Sequence, residues 1–298
     1  MLSKTAGIIL LLLAPCALSR AGEEEVGRIE LAPRESGVYR SHLPGEKSIR
    51  WSASWEMERI AEGPPARYVV TDILRGIFGE DDLEQTRTTR AEFLLERGQI
   101  RLLHSLLTVV DPAGKIIFTL DKKFDHAEGV VRTRLINPEQ DEVEEETFEM
   151  GGRMVDNKEI VSFLRGFPFP EIDRDEPGQV PTVELNFLNE TPTSHSVLVE
   201  YEGTEEVETP AGKFLCHRLR LVPDLGILTF LGRVLAPDFR MWFTVAPPHF
   251  WVKYNGLEGE LGTEEIISEL VEFQAGETTF SPAGGSRAGS GQPANPRH

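Results

Sequence analysis

Cysteine is almost absent from this chain of 298 residues, which contains only Cys16 and Cys216. Cys16 lies in an N-terminal segment that we predict to be removed, so one cysteine remains and no internal disulfide can form. Positive charge is also scarce, since 31 lysines and arginines stand against 49 aspartates and glutamates and give a net charge of −18. Such an acidic surface repels phosphate backbones and anionic membranes, which excludes nucleic acid as an expected partner.

The chain also lacks an apolar run that could anchor it in a bilayer. The apolar stretch Gly7–Ala14 falls well short of the roughly 20 residues that a transmembrane helix needs. It follows Lys4 and precedes the small residues of Ser19-Arg20-Ala21, an order typical of a secretion signal. We therefore predict a signal peptide over residues 1–21, cleaved after Ala21 or, as second choice, after Ser19. The alternative is a buried N-terminal helix. The prediction implies a periplasmic or secreted protein with no transmembrane anchor after cleavage.

Cys16 does not fit the signal of a lipid-anchored protein. A bacterial lipoprotein signal has a small residue directly before the modified cysteine, whereas Pro15 stands there. The proline ring fixes the backbone and removes a hydrogen-bond donor. We interpret Cys16 as part of the discarded signal.

Motifs that would indicate catalysis or metal binding are missing. No two of the seven histidines have metal-ligand spacing, and neither GxSxG nor CxxC occurs. Gly151-Gly152 is not followed by the GK[ST] of a phosphate loop, and the acidic residues 141–149 lack the glycine of a calcium loop. We therefore expect no cofactor, no metal and no catalytic residue. The acidic segment is predicted to be a solvated face, Cys216 a small buried hydrophobe and His217 a partly buried histidine.

Alternation of apolar and polar residues predicts a mainly β protein. The clearest strand places Ile49, Trp51, Ala53, Trp55 and Met57 on one face, with polar residues between them. Further strands are predicted at 66–73, 87–96, 99–110, 115–120, 130–136, 142–150, 180–188, 196–203, 207–209, 213–222, 239–245, 250–254 and 265–273. Turn residues such as Arg97-Gly98, Asp111-Pro112-Ala113-Gly114 and Pro210-Ala211-Gly212 separate several of them.

Composition and alternation together divide the chain into four predicted parts. Residues 1–21 are the signal, 22–45 are polar and form a linker or lead-in, 46–275 form the β domain, and 276–298 form a disordered tail poor in large apolar residues. One segment departs from the β pattern. Asp156 and Glu159 have the spacing of a capping box, and apolar residues at helical spacing follow up to Phe167. We predict a short helix there that packs on the sheet.

The sequence around the last predicted turn resembles a known family. Residues 207–219 read VETPAGKFLCHRL, which is similar to the characteristic hairpin of exported bacterial proteins of domain of unknown function 3108. The segments Ile160–Arg165, Met241–Phe243 and Val252–Tyr254 resemble other parts of that family in the same order. The family is in turn similar to the outer-membrane lipoprotein carriers. The resemblance implies a curved antiparallel sheet, an unclosed β-barrel, with a short helix packed on it.

A half-barrel of that kind holds ligand on its concave face, and this chain has aromatic and aliphatic residues that could line such a cavity. The segment Leu225–Leu235 is the most apolar stretch after the signal and departs from the family pattern, which indicates a cavity rim, a core strand or a docking surface. The predicted ligand-binding residues are Trp51, Trp55, Phe163, Phe187, Leu228, Phe230, Leu231 and Trp242.

Three functions remain open at this point. The first is an exported, non-catalytic protein that binds an apolar or lipid-like molecule. The second is an envelope scaffold or assembly partner whose aromatic residues simply fill a core. The third is an enzyme of unknown reaction, for which no catalytic set converges in the sequence.

Overall fold

Sixteen strands and one short helix make up the described part of the computed structural model, which covers residues 27–79, 83–151, 154–156, 159–170, 181–188, 194–223, 239–259, 263–276 and 278–280. The predicted signal peptide, Leu225–Leu235 and residues 281–298 of the predicted tail lie outside the described residues. The strands are β1 Arg34–His42, β2 Trp51–Ala61, β3 Ala66–Phe78, β4 Leu83–Glu96, β5 Gln99–Val110, β6 Ile116–Asp125, β7 Val130–Asn137, β8 Glu142–Glu149, β9 Met154–Asp156, β10 Thr182–Leu188, β11 Ser194–Thr209, β12 Gly212–Pro223, β13 Phe239–Thr244, β14 Trp251–Leu257, β15 Glu265–Ala275 and β16 Thr278–Phe280. Helix α1 spans Ile160–Phe163 and continues as a 3₁₀ turn over Leu164–Gly166.

All strands belong to one sheet of order β8-β7-β6-β5-β4-β3-β2-β1-β15-β14-β13-β12-β11-β10-β9, and β16 pairs with β15 beside this path. Every neighbouring pair is antiparallel except β9 and β10, which run parallel. The sheet curves so strongly that β9 at one edge approaches β6 near the other edge. Lys122 on β6 and Asp156 on β9 form a buried ion pair of 2.6 Å there. Among the described strands no ladder joins β8 to β9, so the predicted unclosed, mainly antiparallel half-barrel is confirmed.

The predicted turns have the backbone that their residues favour. Arg97 and Gly98 both have positive φ, at 53° and 82°, as a two-residue hairpin turn of type I′ requires. At the next turn Asp111 Oδ1 accepts hydrogen bonds from the backbone N–H groups of Ala113 and Lys115, both at 2.9 Å. Gly212 has a φ of 132°, a conformation that residues with a Cβ rarely adopt. The hairpins therefore fix the register of the central strands.

Alternation in β2 is present as predicted, since Trp51, Ala53 and Met57 are buried, Trp55 is half-buried, and Ser52, Ser54 and Glu56 are exposed. Ile49 precedes the strand and is exposed, so its predicted place on the buried face is wrong. Strand β8 is exposed along almost its whole length, in agreement with the predicted solvated acidic face.

The lead-in predicted for residues 22–45 contains a strand instead. Strand β1 pairs with β2 on one side and with β15 on the other, so it lies in the middle of the sheet. Its buried residues are Glu35, Gly37, Tyr39 and Ser41, of which only Tyr39 is large and apolar in part. This composition conceals the alternation, because small residues replace the apolar ones that usually mark a buried face.

The predicted capping box is also wrong. Glu159 is the N-cap of α1 and no side chain caps the helix, while the carboxylate of Asp156 is used in the ion pair with Lys122. The α-helical part ends at Phe163, after which the backbone forms a 3₁₀ turn. It packs on the sheet as predicted, since Ile160, Val161 and Phe163 contact the buried cluster around Leu219 and Phe243.

Candidate ligand-binding cavity

A cavity of about 420 Å³ lies on the concave side of the sheet, between the curved strands and helix α1. Its wall is mostly aromatic and aliphatic. The aromatic residues that line it are Tyr39, Trp51, Trp55, Phe78, Phe239, Phe250, Trp251, Tyr254 and Phe273, and the aliphatic ones are Ala53, Val70, Leu74, Ile160, Val161, Leu221, Met241, Leu257 and Ile266. Asp72, Arg87, Ser162, Arg165, Glu258, Gly259 and Ser268 complete the described lining.

The sheet register explains why these side chains converge. Trp51 on β2 lies opposite Ser41 on β1, Ser41 lies opposite Ser268 on β15, and Ser268 lies opposite Tyr254 on β14. Directly paired residues point to the same face of a sheet, so the two aromatic rings flank two small residues in one row. Small residues in the middle of a curved row leave space between the large side chains at its ends.

The polar atoms of the aromatic wall bond within the protein. The hydroxyl of Tyr39 donates to the carbonyl oxygen of Trp251 at 2.8 Å, and that of Tyr254 donates to the carbonyl oxygen of Leu257 at 2.8 Å. Burial raises the pKa of both hydroxyls far above the usual value for tyrosine, so they stay neutral. The wall therefore presents mainly carbon to the cavity.

One end of the cavity carries a charged network around Glu258. Its carboxylate accepts hydrogen bonds from Arg50 Nε at 3.0 Å, from Trp51 Nε1 at 3.0 Å and from the backbone N–H of Gly79 at 3.1 Å. Arg50 also lies 2.8 Å from Glu264, whose side chain is half exposed to solvent. The cavity thus approaches solvent at this end of the sheet, where β3 and β14 finish.

At the helix the charged group is fully enclosed. Arg165 donates to both carboxylate oxygens of Glu35, at 2.6 and 3.1 Å, and to the carbonyl oxygens of Pro248 and Glu30. Both side chains are almost completely buried. The pair fastens the helical segment, and with it Ile160, Val161 and Ser162 of the cavity wall, to strand β1.

Two glycines allow aromatic rings to lie flat on the sheet. A Cβ at Gly256 would stand 2.5 Å from the hydroxyl oxygen of Tyr254 and 2.9 Å from Phe239 Cδ1. At Gly37, a Cβ would stand 2.5 Å from Trp55 Nε1. These rings occupy space that any side chain at the two positions would fill, so both glycines help to shape the cavity.

The predicted site residues fall into three groups. Trp51 and Trp55 line the cavity, and their role in ligand binding stays a prediction. Phe163 packs in the cluster beside α1, and Trp242 donates from Nε1 to Glu205 at 2.6 Å, so neither is among the described residues that line it. For Phe187 only the backbone on β10 is described, and Leu228, Phe230 and Leu231 lie outside the described residues.

Sequence reasoning missed Tyr39, Trp251, Tyr254 and Met241. Tyr39 lies in the segment 22–45, for which a polar lead-in and no strand was predicted. Met241 and Trp242 are neighbours on β13, where four consecutive residues are buried, so no alternation in this strand indicates that Met241 and not Trp242 lines the cavity. Phe250-Trp251 and Tyr254 were recognised as parts of a strand, and their aromatic character was the signal that could have indicated a wall.

Two side chains that could react, those of Cys216 and His217, are enclosed and held in unreactive forms. Cys216 is completely buried, as predicted, and burial raises the pKa of its thiol to about 12. His217 is buried against the ring of Phe169, 4.2 Å between centroids, and burial with the nearby His249 lowers its pKa to about 4. No group of three or more histidine, cysteine, aspartate or glutamate side chains in the described ranges is arranged to hold a metal ion. Within the same ranges no helix has the length and hydropathy needed to cross a bilayer.

Comparisons with known proteins yield structural neighbours only. No family model and no curated protein matches the chain, so its resemblance to domain of unknown function 3108 stays a prediction. A β-barrel-like protein of domain of unknown function 1849 from Brucella abortus shares 12% identity over 83% of this chain and 98% of its own, with a TM-score of 0.48. A protein with a YmcC-like fold from Bacteroides fragilis, described as exported, shares 10% identity over 82% and 96%, with a TM-score of 0.34. A protein from Parabacteroides distasonis, described as a lipoprotein, shares 9% identity over 84% and 98%, with a TM-score of 0.30.

Proposed function

We propose that this protein acts outside the cytoplasm and binds an apolar or lipid-like molecule in the concave cavity, without chemical change to that molecule. The observation that carries the proposal is the cavity of about 420 Å³ whose aromatic hydroxyls are hydrogen-bonded inside the protein. Its volume lies within the roughly 300–1,000 Å³ of small-molecule pockets, and its mainly apolar wall with a few polar groups is typical of them.

A binding role without catalysis is supported by the state of the reactive groups. A cysteine nucleophile acts as a thiolate, and the raised pKa of Cys216 keeps the sulfur protonated at neutral pH. His217 is buried and His249 is half-buried, neither is among the described residues that line the cavity, and their lowered pKa values keep them neutral. Arg165 and Glu258, which do reach the cavity, are engaged in ion pairs.

Export is supported by the order of charge, apolar run and small residues in the first 21 positions. N-terminal sequencing of the mature protein should give a start near Gly22. Recovery of a mature chain that begins with an acylated Cys16 would contradict the unanchored form.

Binding is tested with a neutral apolar dye, N-phenyl-1-naphthylamine, whose fluorescence rises in apolar surroundings. Ala53→Phe places a large ring in the cavity, whereas Ser54→Phe places the same ring on the exposed face of the same strand. We expect the first variant to lose dye binding and the second to keep it, while both keep the β circular dichroism of the wild type. Equal binding by the two folded variants would contradict the cavity as the site.

Native mass spectrometry of the protein taken from its own periplasm then asks whether a ligand co-purifies. A bound mass of lipid-like composition supports the proposal. A protein that binds no dye and carries no ligand, and instead co-purifies with an envelope protein, would favour the scaffold function.

A further inference from the structure

We propose that the cavity selects amphiphiles whose polar end is uncharged or cationic and rejects those with an anionic end, such as a fatty-acid carboxylate. This inference rests on the proposed binding function and specifies the class of ligand. It follows from the positions of the polar groups and from the balance of charge at the cavity.

The apolar wall fixes where the two parts of an amphiphile would lie. Because the hydroxyls of Tyr39 and Tyr254 donate to backbone carbonyls, a polar group deep in the cavity would meet few partners among the described residues besides the hydroxyl of Ser268. Loss of its hydration without replacement bonds is unfavourable, so the hydrocarbon part fills the interior and the polar end stays near the Glu258 network.

An anionic end would need a cation, and the two guanidinium groups of the described lining, those of Arg87 and Arg165, are already engaged. Arg165 binds both oxygens of Glu35 and two backbone carbonyls, so pairing with a ligand would break a buried ion pair. Arg87 donates from Nε to Gln85 at 3.2 Å, and its guanidinium carbon lies 4.2 Å from the centre of the Phe78 ring. Neither arginine is placed to receive a carboxylate at low cost.

At the solvent end the described carboxylates outnumber the described cations. Glu258 and Glu264 both pair with the guanidinium of Arg50, so these three side chains carry an excess of one negative charge. The other charged residues described on the wall, Asp72, Arg87 and Arg165, add no positive excess, because Glu35 neutralises Arg165, and the whole chain carries a net charge of −18. In surroundings of reduced dielectric constant this excess repels an anion and attracts a cation.

The test compares three amphiphiles with the same ten-carbon chain, namely decanoate, decanol and decyltrimethylammonium, as competitors of N-phenyl-1-naphthylamine below their micelle concentrations. We expect decanol and decyltrimethylammonium to displace the dye at concentrations about tenfold lower than decanoate at low ionic strength. The advantage of the cation should shrink in high salt, because salt screens charges near solvent.

Asp72→Asn removes a negative charge from the wall with little change of shape, and it should shift the preference several-fold toward decanoate. Glu58→Gln is the matched control, since Glu58 is exposed on the opposite face of the sheet and carries the same charge. Decanoate that binds wild-type protein as tightly as decanol would overturn the charge preference and leave the binding function intact. If neither the dye nor any of the three amphiphiles binds, the proposed function itself fails.

Discussion

Trp55 lies across Gly37 of the neighbouring strand, so close that a Cβ at position 37 would be 2.5 Å from Nε1 of the indole. This contact lets the ring lie flat and become part of the cavity wall. Gly37→Ala should force the indole to move and should lower the free energy of unfolding by about 1–3 kcal/mol, as overpacking does. Urea denaturation and tryptophan fluorescence measure both effects. Gly151→Ala is the control, because a Cβ there makes an ordinary contact of 3.8 Å and should change little. Unchanged stability and fluorescence in Gly37→Ala would contradict the close packing.

The ion pair between Arg165 and Glu35 holds the helix on the sheet. Arg165→Met should lower stability by about 3–5 kcal/mol, because it leaves the buried carboxylate of Glu35 without its cation. The double variant Arg165→Met, Glu35→Gln should recover part of the loss, since no charge is then left unpaired. Lys213→Met, which loses only exposed pairs with Glu206 and Glu208, should have a small effect in the same denaturation experiment. If Arg165→Met and Lys213→Met lowered stability equally, the role of the buried pair would be refuted.

The lowered pKa values of His217 and His249 predict that stability falls in mild acid. Burial lowers the pKa of His217 to about 4 and lowers that of His249 as well, whereas an unfolded histidine titrates near 6.5. Above about pH 6.5 both states are neutral and the fold has its full stability. Between about pH 6.5 and 4 the unfolded chain binds protons that the folded chain does not, so stability decreases as pH falls. His217→Phe should reduce this slope by up to about 1.4 kcal/mol per pH unit. Denaturation of both proteins across pH 4.5–7 provides the comparison, and parallel curves would show that His217 does not contribute.

Cys216 should be inert and structural. Its side chain has no exposed surface and its Sγ lies 3.6 Å from the carbonyl oxygen of Phe214. Cys216→Ala should reduce stability by about 1 kcal/mol, the effect of a small truncation in a core. A soluble disulfide reagent should label the thiol only after unfolding. Rapid labelling of native protein would contradict the burial.

Phe230, in the apolar segment between β12 and β13, remains a predicted ligand-binding residue together with Leu228 and Leu231. Phe230→Asp should abolish dye binding while the β circular dichroism persists, because a carboxylate would then stand where an apolar contact is expected. Loss of the fold would indicate an ordinary core residue. A folded variant that still binds the dye would remove Phe230 from the site.

The sequence determined most of the strands because their chemistry is local. Regular alternation in β2 and the turn residues Arg97-Gly98 and Asp111–Gly114 express backbone preferences that do not depend on distant residues. The buried thiol of Cys216 also follows from a short stretch of sequence. Strand β1 was not predicted because Gly37 and Ser41 are small and do not mark a buried face. These two residues leave space for the side chains of Trp55 and Trp51 on the neighbouring strand.

The cavity was decided by the tertiary structure alone. Whether Met241 or Trp242 faces it depends on which side of β13 the sheet curves toward, and both residues are buried. The pairing of Arg165 with Glu35 joins positions 130 residues apart, and that of Lys122 with Asp156 joins strands near opposite edges of the sheet. Such contacts arise from the curvature and order of the strands, which depend on the summed register of many pairings. No single stretch of sequence determines how all these pairings combine. The strands could therefore be predicted, and the site that they enclose could not.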